Sequence, residues 1–275
     1  MSLALVLALA RPAVAATPAE LQSLLARFDA RATLPLPALD AQDLARLASG
    51  DMVKLLDHTA EGPASAVGLQ ILPADRKAVW ISVEDPHFSS EESLTEALVA
   101  RSGSDRARWY GFLDLPRPLL DRQWVIDVWN AHEVAQATGG QAWEHPWRGV
   151  EDGMAPVRSM VAQGRVGTLT DEDLDRAINT PMNEGAWVAF ALPEGGTLLA
   201  YHVRFDVGGD IPEGLLSRYI LGGLPKLFRA IDQRATELVP SHYRGDHAPI
   251  YGGDGVALRP YAAEPGATGP GTPVQ

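Results

Sequence analysis

Two adjacent acid and base pairs, His132-Glu133 and Glu144-His145, are the residues best suited by type to do chemistry, with His242, Asp246 and His247 as a further group. An imidazole beside a carboxylate can ligate a metal ion or move a proton. The spacing argues against both. Neighbours on a strand point to opposite faces, so His132 and Glu133 do not readily reach one site, and neither H-E-x-x-H nor another zinc spacing is present. The chain has no cysteine, which removes a thiol nucleophile, a disulfide framework and a lipid-modified cysteine together. It also lacks a G-x-S-x-G elbow, a P-loop and a G-x-G-x-x-G turn. The residues therefore assign no metal site, no cofactor and no catalytic group.

Composition narrows the partners. The 275 residues carry 35 acids against 23 bases, a net charge of −12, so a long phosphate backbone or an anionic membrane surface is repelled on average. Nucleic acid is not an expected partner. With 46% apolar and 21% charged residues the chain reads as globular, and at this length burial alone drives folding. Nothing here sets the oligomeric state.

The elements that must position any site read as follows. Residues 2–10 (SLALVLALA) are apolar, too short to span a bilayer, and followed by small residues of the A-x-A kind. This predicts a signal peptide over 1–16 and a periplasmic or extracellular protein; an apolar first helix is the alternative, because no Lys or Arg precedes the run. Residues 17–50 predict a helical arm, with Thr17 as N-cap and Leu21, Leu24, Leu25 and Phe28 at helical spacing. Strands are predicted over 52–59, 64–72, 107–113, 124–133, 141–147, 185–192 and 198–206, with a helix carrying Val79, Trp80 and Val83 after Asp75. Residues 94–100 fit either helix or strand, and 157–179 are ambiguous apart from a cap at Thr170. In the last strand Leu199, Tyr201, Val203 and Phe205 share one face; earlier, Trp124, Ile126 and Val128 do the same. A long helix follows from 211 to about 238, with a kink expected at Pro225. Residues 252–275 are rich in Gly and Pro and predict a tail without a core of its own. The order makes an α+β protein. By periodicity alone the large residues between sheet and helix fit a solid core better than a cavity.

Three stretches bear on that choice: GLQILPADRKAVWISVEDPHF at 68–88, GFLDLPRPLLDRQWVIDV at 111–128, and 185–231 with its final hairpin, Gly-Gly-x-Ile-Pro link and mid-helix Leu-Pro. Together they resemble the START-like lipid-transfer superfamily (SRPBCC, helix-grip fold), which includes polyketide cyclases. The resemblance covers about two thirds of the chain, and the arm, the 150–183 stretch and the tail depart from it. It implies an α+β helix-grip fold, a curved antiparallel sheet wrapped around a long C-terminal helix, as a START-like domain over 51–240; the residues themselves add the arm over 17–50 and a tail over 241–275. It also implies a cavity that takes up a lipid or other hydrophobic small molecule without catalysis, and transient contact with a membrane or membrane protein. The lining it implies is Trp80, Trp109, Trp124, Ile126, Val128, Val188, Phe190, Tyr201, Val203, Phe205, Leu216, Ile220, Leu227 and Ile231. The Asp121-Arg122 pair is read as structural, with anchoring of a polar ligand head as the alternative. Gly208-Gly209 and Gly222-Gly223 read equally as flexing points or as turn and packing residues. The alternatives are a cyclase-like enzyme of the same fold, which acts mainly by cavity shape, and an interaction module with a solid core.

Overall fold

Local capping chemistry starts the arm. In the computed structural model, which describes residues 16–57, 63–85, 93–209, 213–245 and 248–262 with backbone alone for 213–220, helix α1 spans Pro18–Asp29. The Thr17 hydroxyl accepts from the Glu20 N–H while the Glu20 carboxylate accepts from the Thr17 N–H, satisfying two amides that the helix itself leaves unpaired. Helix α2, Ala41–Ala48, starts at Asp40, whose carboxylate accepts from the Asp43 N–H at 2.8 Å. The two helices bury Leu21, Leu24, Leu25, Phe28, Leu44 and Leu47. The leader expected over 1–16 lies, but for Ala16, outside the described residues.

Nine strands form one sheet among the described residues: β1 Val53–Asp57, β2 Ala64–Leu72, β3 Leu94–Ser102, β4 Arg106–Leu113, β5 Arg122–Trp129, β6 Ala142–Gly149, β7 Ile178–Asn179, β8 Met182–Ala191 and β9 Thr197–Asp206. Their order is β1-β2-β9-β8-β6-β5-β4-β3, all antiparallel, with the two-residue β7 added parallel to β5. Helix α3 (Arg76–Glu84) follows β2, α4 (His132–Ala137) follows β5, α5 (Met154–Ala162) and α6 (Asp171–Arg176) precede β7, and α7 (Glu213–Gln233) follows β9. Pro225 lies inside α7; a π-helical turn at Arg234–Leu238 and α8 (Val239–His242) continue it.

Both faces of the sheet are covered. On one face α1 and α2 pack on Val67, Leu69, Val188, Phe190, Leu198 and Ala200, with Phe28 edge-on to Phe190 at 5.1 Å. Further along that face α5 and α6 cover Tyr110, Phe112 and Val125. On the opposite face α3 and α7 close over Leu72 and Leu199. This is the open antiparallel sheet and C-terminal helix of a helix-grip arrangement.

One sequence expectation changes, and two open ones are filled in. The ambiguous 94–100 stretch is strand β3; it is an edge strand, mostly exposed and bulged between Leu98 and Ala100, so neither strand alternation nor a helical stripe marks it. The strand expected to run to 133 ends at Trp129, and residues 132–137 are helical. The run Glu133-Val-Ala-Gln-Ala is rich in helix formers, and the Asn130 and Ala131 amides leave the β-ladder to bond Asp105 O and Glu144 O. The start of the Gly- and Pro-rich tail, expected to have no core of its own, uses that of the domain. Ile250, Leu258 and Tyr261 pack into the α3 and α7 core, and Lys77 Nζ stands 3.7 Å from the centre of the Tyr261 ring. Residues 263–275 lie outside the described residues.

Candidate hydrophobic site on the α7 face of the sheet

Strand alternation sorts the expected lining into two faces. Tyr201 pairs with Gly68 and Trp187, Val203 with Ala66 and Gly185, and Trp109 with Ile126, which places these side chains on the face toward α7. Ala66, Val128, Trp147, Val203 and Phe205 form its buried cluster; Trp109, Ile126, Trp187, Tyr201 and Leu221 pack against that cluster and are half-buried. Of the expected residues, Trp109, Trp124, Ile126, Val128, Tyr201, Val203 and Phe205 share this face.

Others do not. Val188 and Phe190 point to the arm face, beneath α1, because they alternate with Trp187 and Ala189 on β8. Trp80 is 1% exposed, sealed against Ala135, Trp143 and Ala189, with its Nε1 donating to the Tyr251 carbonyl at 2.9 Å. Ile231 of α7 is buried in one cluster with Ala78, Val79 and Ile81 of α3, and Leu227 packs on the same core. The side chains of Leu216 and Ile220 lie outside the described residues. Trp147 and Leu98 were not expected here. The alternation Trp143-His145-Trp147 in β6 carried the signal for Trp147, whereas the exposed edge strand holding Leu98 carried none.

The rings lie flat on the sheet because glycine faces them. A side chain at Gly185 would collide with the Trp147 ring, and one at Gly111 with Trp124. Trp147 stacks on Tyr201 at 5.6 Å between centroids, and Tyr201 meets Trp187 at 4.5 Å. Among the described residues helix α7 contacts β1, β2 and α3, on one half of the face. Over the other half Trp109, Trp124 and Ile126 stay half-buried and Leu98 is 39% exposed. Among the described residues this leaves an apolar trough with α7 along one side.

A separate cleft of about 640 Å³ opens where β5 and β6, paired over three residues only, diverge. Its walls include Arg148, Asp152, Asn183 and Glu184, and it shares only Trp124 with the expected lining. Val125, Val150, Met154 and Met182 line it as well, so its walls are mixed, and its position between β5 and β6 sets it apart from the trough.

Arg122 is 3% exposed, and its guanidinium donates to the carbonyls of Val207 at 2.7 Å, Gly208 at 2.9 Å and Leu120. The Asp121 carboxylate instead accepts from the Leu115 N–H. Arg122 therefore latches the link between β9 and α7 rather than pairing with Asp121. Gly208 and Gly209 adopt φ of 66° and 71° and pack on Ile178, so turn geometry accounts for them. Replacing Arg122 with alanine is expected to lower stability by about 3 kcal/mol, since it orphans buried carbonyls. Urea unfolding checks this; a loss under about 1 kcal/mol would show that the latch carries no weight.

The polar pairs do not converge. Glu144 lies on the arm face, fully buried, accepting from the Thr33 and Leu34 amides, and burial pushes its carboxyl upward against the pull of those bonds. His132 bonds Asp105 at 2.6 Å. His145 lies on the α7 face. Asp246 and His247 lie outside the described residues. Among the described residues no group of three or more His, Asp or Glu side chains could hold a metal ion, and no helix is long and apolar enough to cross a membrane.

No protein-family model matches the sequence, and no curated protein matches it. Solved structures similar in fold include a STAR-related lipid transfer protein fragment from Xanthomonas axonopodis, 16% identical over 73% of this chain and 97% of that one, TM-score 0.49. Human STARD10 is 11% identical over 74% and 82%, TM-score 0.49. The Zhui aromatase/cyclase from a Streptomyces species is 12% identical over 67% and 93%, TM-score 0.38.

Proposed function

We propose that the chain binds a hydrophobic small molecule, of lipid character, in the trough between the α7 face of the sheet and α7. The observation that carries this reading is the half-buried row Trp109, Trp124, Ile126, Trp187 and Tyr201 on one face of the sheet: Trp187 and Tyr201 meet the α7 core, and Trp109, Trp124 and Ile126 continue the apolar surface beyond it. Covering about 400 Å² of apolar ligand surface there contributes on the order of 10 kcal/mol before the cost of immobilising the ligand. The sequence resemblance points to the same activity. Mass spectrometry of organic extracts of the purified protein tests it, with a stoichiometric lipid, sterol or quinone expected. A protein that purifies empty and takes up none of these on incubation would refute the reading.

A further inference from the structure

The trough reading, on which this inference rests, leaves the polarity of the ligand open, and one histidine bears on it. His145 sits on the α7 face of β6 between Trp143 and Trp147 and opposite Trp187. Its Nδ1 lies 2.7 Å from Asn130 Oδ1 and 3.1 Å from Glu84 Oε1. The Asn130 amide nitrogen is committed to the carbonyls of Tyr251 and Gly252, so its oxygen is the atom turned to the ring. Both neighbours of Nδ1 are thus acceptors, and the proton of the neutral imidazole sits there.

That assignment leaves Nε2 with a lone pair and no hydrogen bond among the described residues. The side chain keeps 16% of its surface accessible, flanked edge-on by the Trp80 ring at 6.0 Å. Nε2 is not among the fully buried unpaired atoms, so water can satisfy it while the trough is empty; a ligand hydroxyl drawn out of water into the trough does need an acceptor, and Nε2 supplies one in place of that water. In the neutral ring this tautomer also discriminates, because Nε2 then accepts and does not donate.

We propose that His145 is a polar recognition point of the trough, its Nε2 accepting a hydrogen bond from a ligand hydroxyl, with Glu84 and Asn130 as positioning residues. The ligand class is then an apolar ring or chain bearing a hydroxyl, and an ether or ester at the same position is disfavoured.

Calorimetric titration of the full chain with naphthol and with its methyl ether separates the possibilities. Naphthol is expected to bind about tenfold more tightly, and His145→Phe to make the two equal by weakening naphthol alone. Equal binding of both probes to the unaltered chain, or a preference that survives in H145F, overturns the role of His145 while leaving the trough reading standing. Binding of neither probe overturns both. Should H145F fail to fold, nitrogen NMR of the unaltered chain decides: the His145 Nε2 resonance is expected to move with naphthol and not with the ether, and an unmoved resonance overturns the proposal.

Discussion

Replacing Ile126 with aspartate is expected to weaken uptake of an apolar molecule by roughly fifty-fold while leaving the fold intact. Ile126 faces the trough from the middle of β5, pairs with Trp109, and is half-buried. A carboxylate there can hydrate when the trough is empty, so folding loses little. A bound apolar molecule strips that hydration, at a cost of roughly 2 kcal/mol or more. Binding of naphthol followed by calorimetry, beside far-ultraviolet circular dichroism of the variant, gives the comparison. Asp127, one residue on, pairs with Arg108 through its carboxylate on the opposite face at 2.7 Å, so Asp127→Asn serves as the matched control with unchanged binding. Undiminished binding in I126D would place the ligand elsewhere.

The second large effect concerns acid. His202 is 5% exposed on the arm face; its Nε2 bonds the Ser65 hydroxyl at 2.9 Å, and Nδ1 lies beside the Leu34 and Pro35 carbonyls without a well-formed hydrogen bond. Burial disfavours the charged ring and lowers its pKa from 6.5 to about 4. With the folded value depressed, the unfolded chain takes the proton first. Stability is fully present above the unfolded value of 6.5 and falls as pH drops toward 4, by about 3 kcal/mol in total. Glu144, which holds the same arm linker, acts in the opposite sense: its carboxyl is raised, so its contribution is greatest at low pH and is lost as pH rises through the raised value. Urea unfolding of the native chain and of His202→Gln across this range isolates the histidine. The native chain is expected to lose about 3 kcal/mol more than the variant; parallel curves would show that His202 is not the acid-sensitive group.

Position on a face was legible where charged or polar residues mark the opposite face of a strand. Leu199, Tyr201, Val203 and Phe205 alternate with His202, Arg204 and Asp206, and Trp124, Ile126 and Val128 alternate with Gln123 and Asp127. Both sets lie toward α7 as the alternation required. Strand β8 reads differently, since Trp187 and Ala189 on one side and Ala186, Val188 and Phe190 on the other are all apolar. A sheet covered on both faces erases the pattern, which is why Val188 and Phe190 were placed in the trough and belong to the arm. Trp80 misled for a related reason. An indole on an amphipathic helix looks the same whether it lines a cavity or fills a core, and here Ala135, Trp143 and Ala189 close over it together with the Tyr251 carbonyl of the C-terminal segment.

By itself the sequence determined the local elements and their order, because caps, turns and alternation act within a few residues of chain. It settled the arm helices at Thr17 and Asp40, the final hairpin and the long helix after it. Tertiary structure decided what those elements enclose. Glu84, Asn130 and His145 are brought together from α3, the end of β5 and β6, and Arg122 reaches the link beyond β9. Such contacts depend on strand order and on which helix covers which face, properties of long-range packing that no local spacing records. The lone acid and base pairs with which the sequence begins its chemistry were thereby separated, and one imidazole among them was given new neighbours.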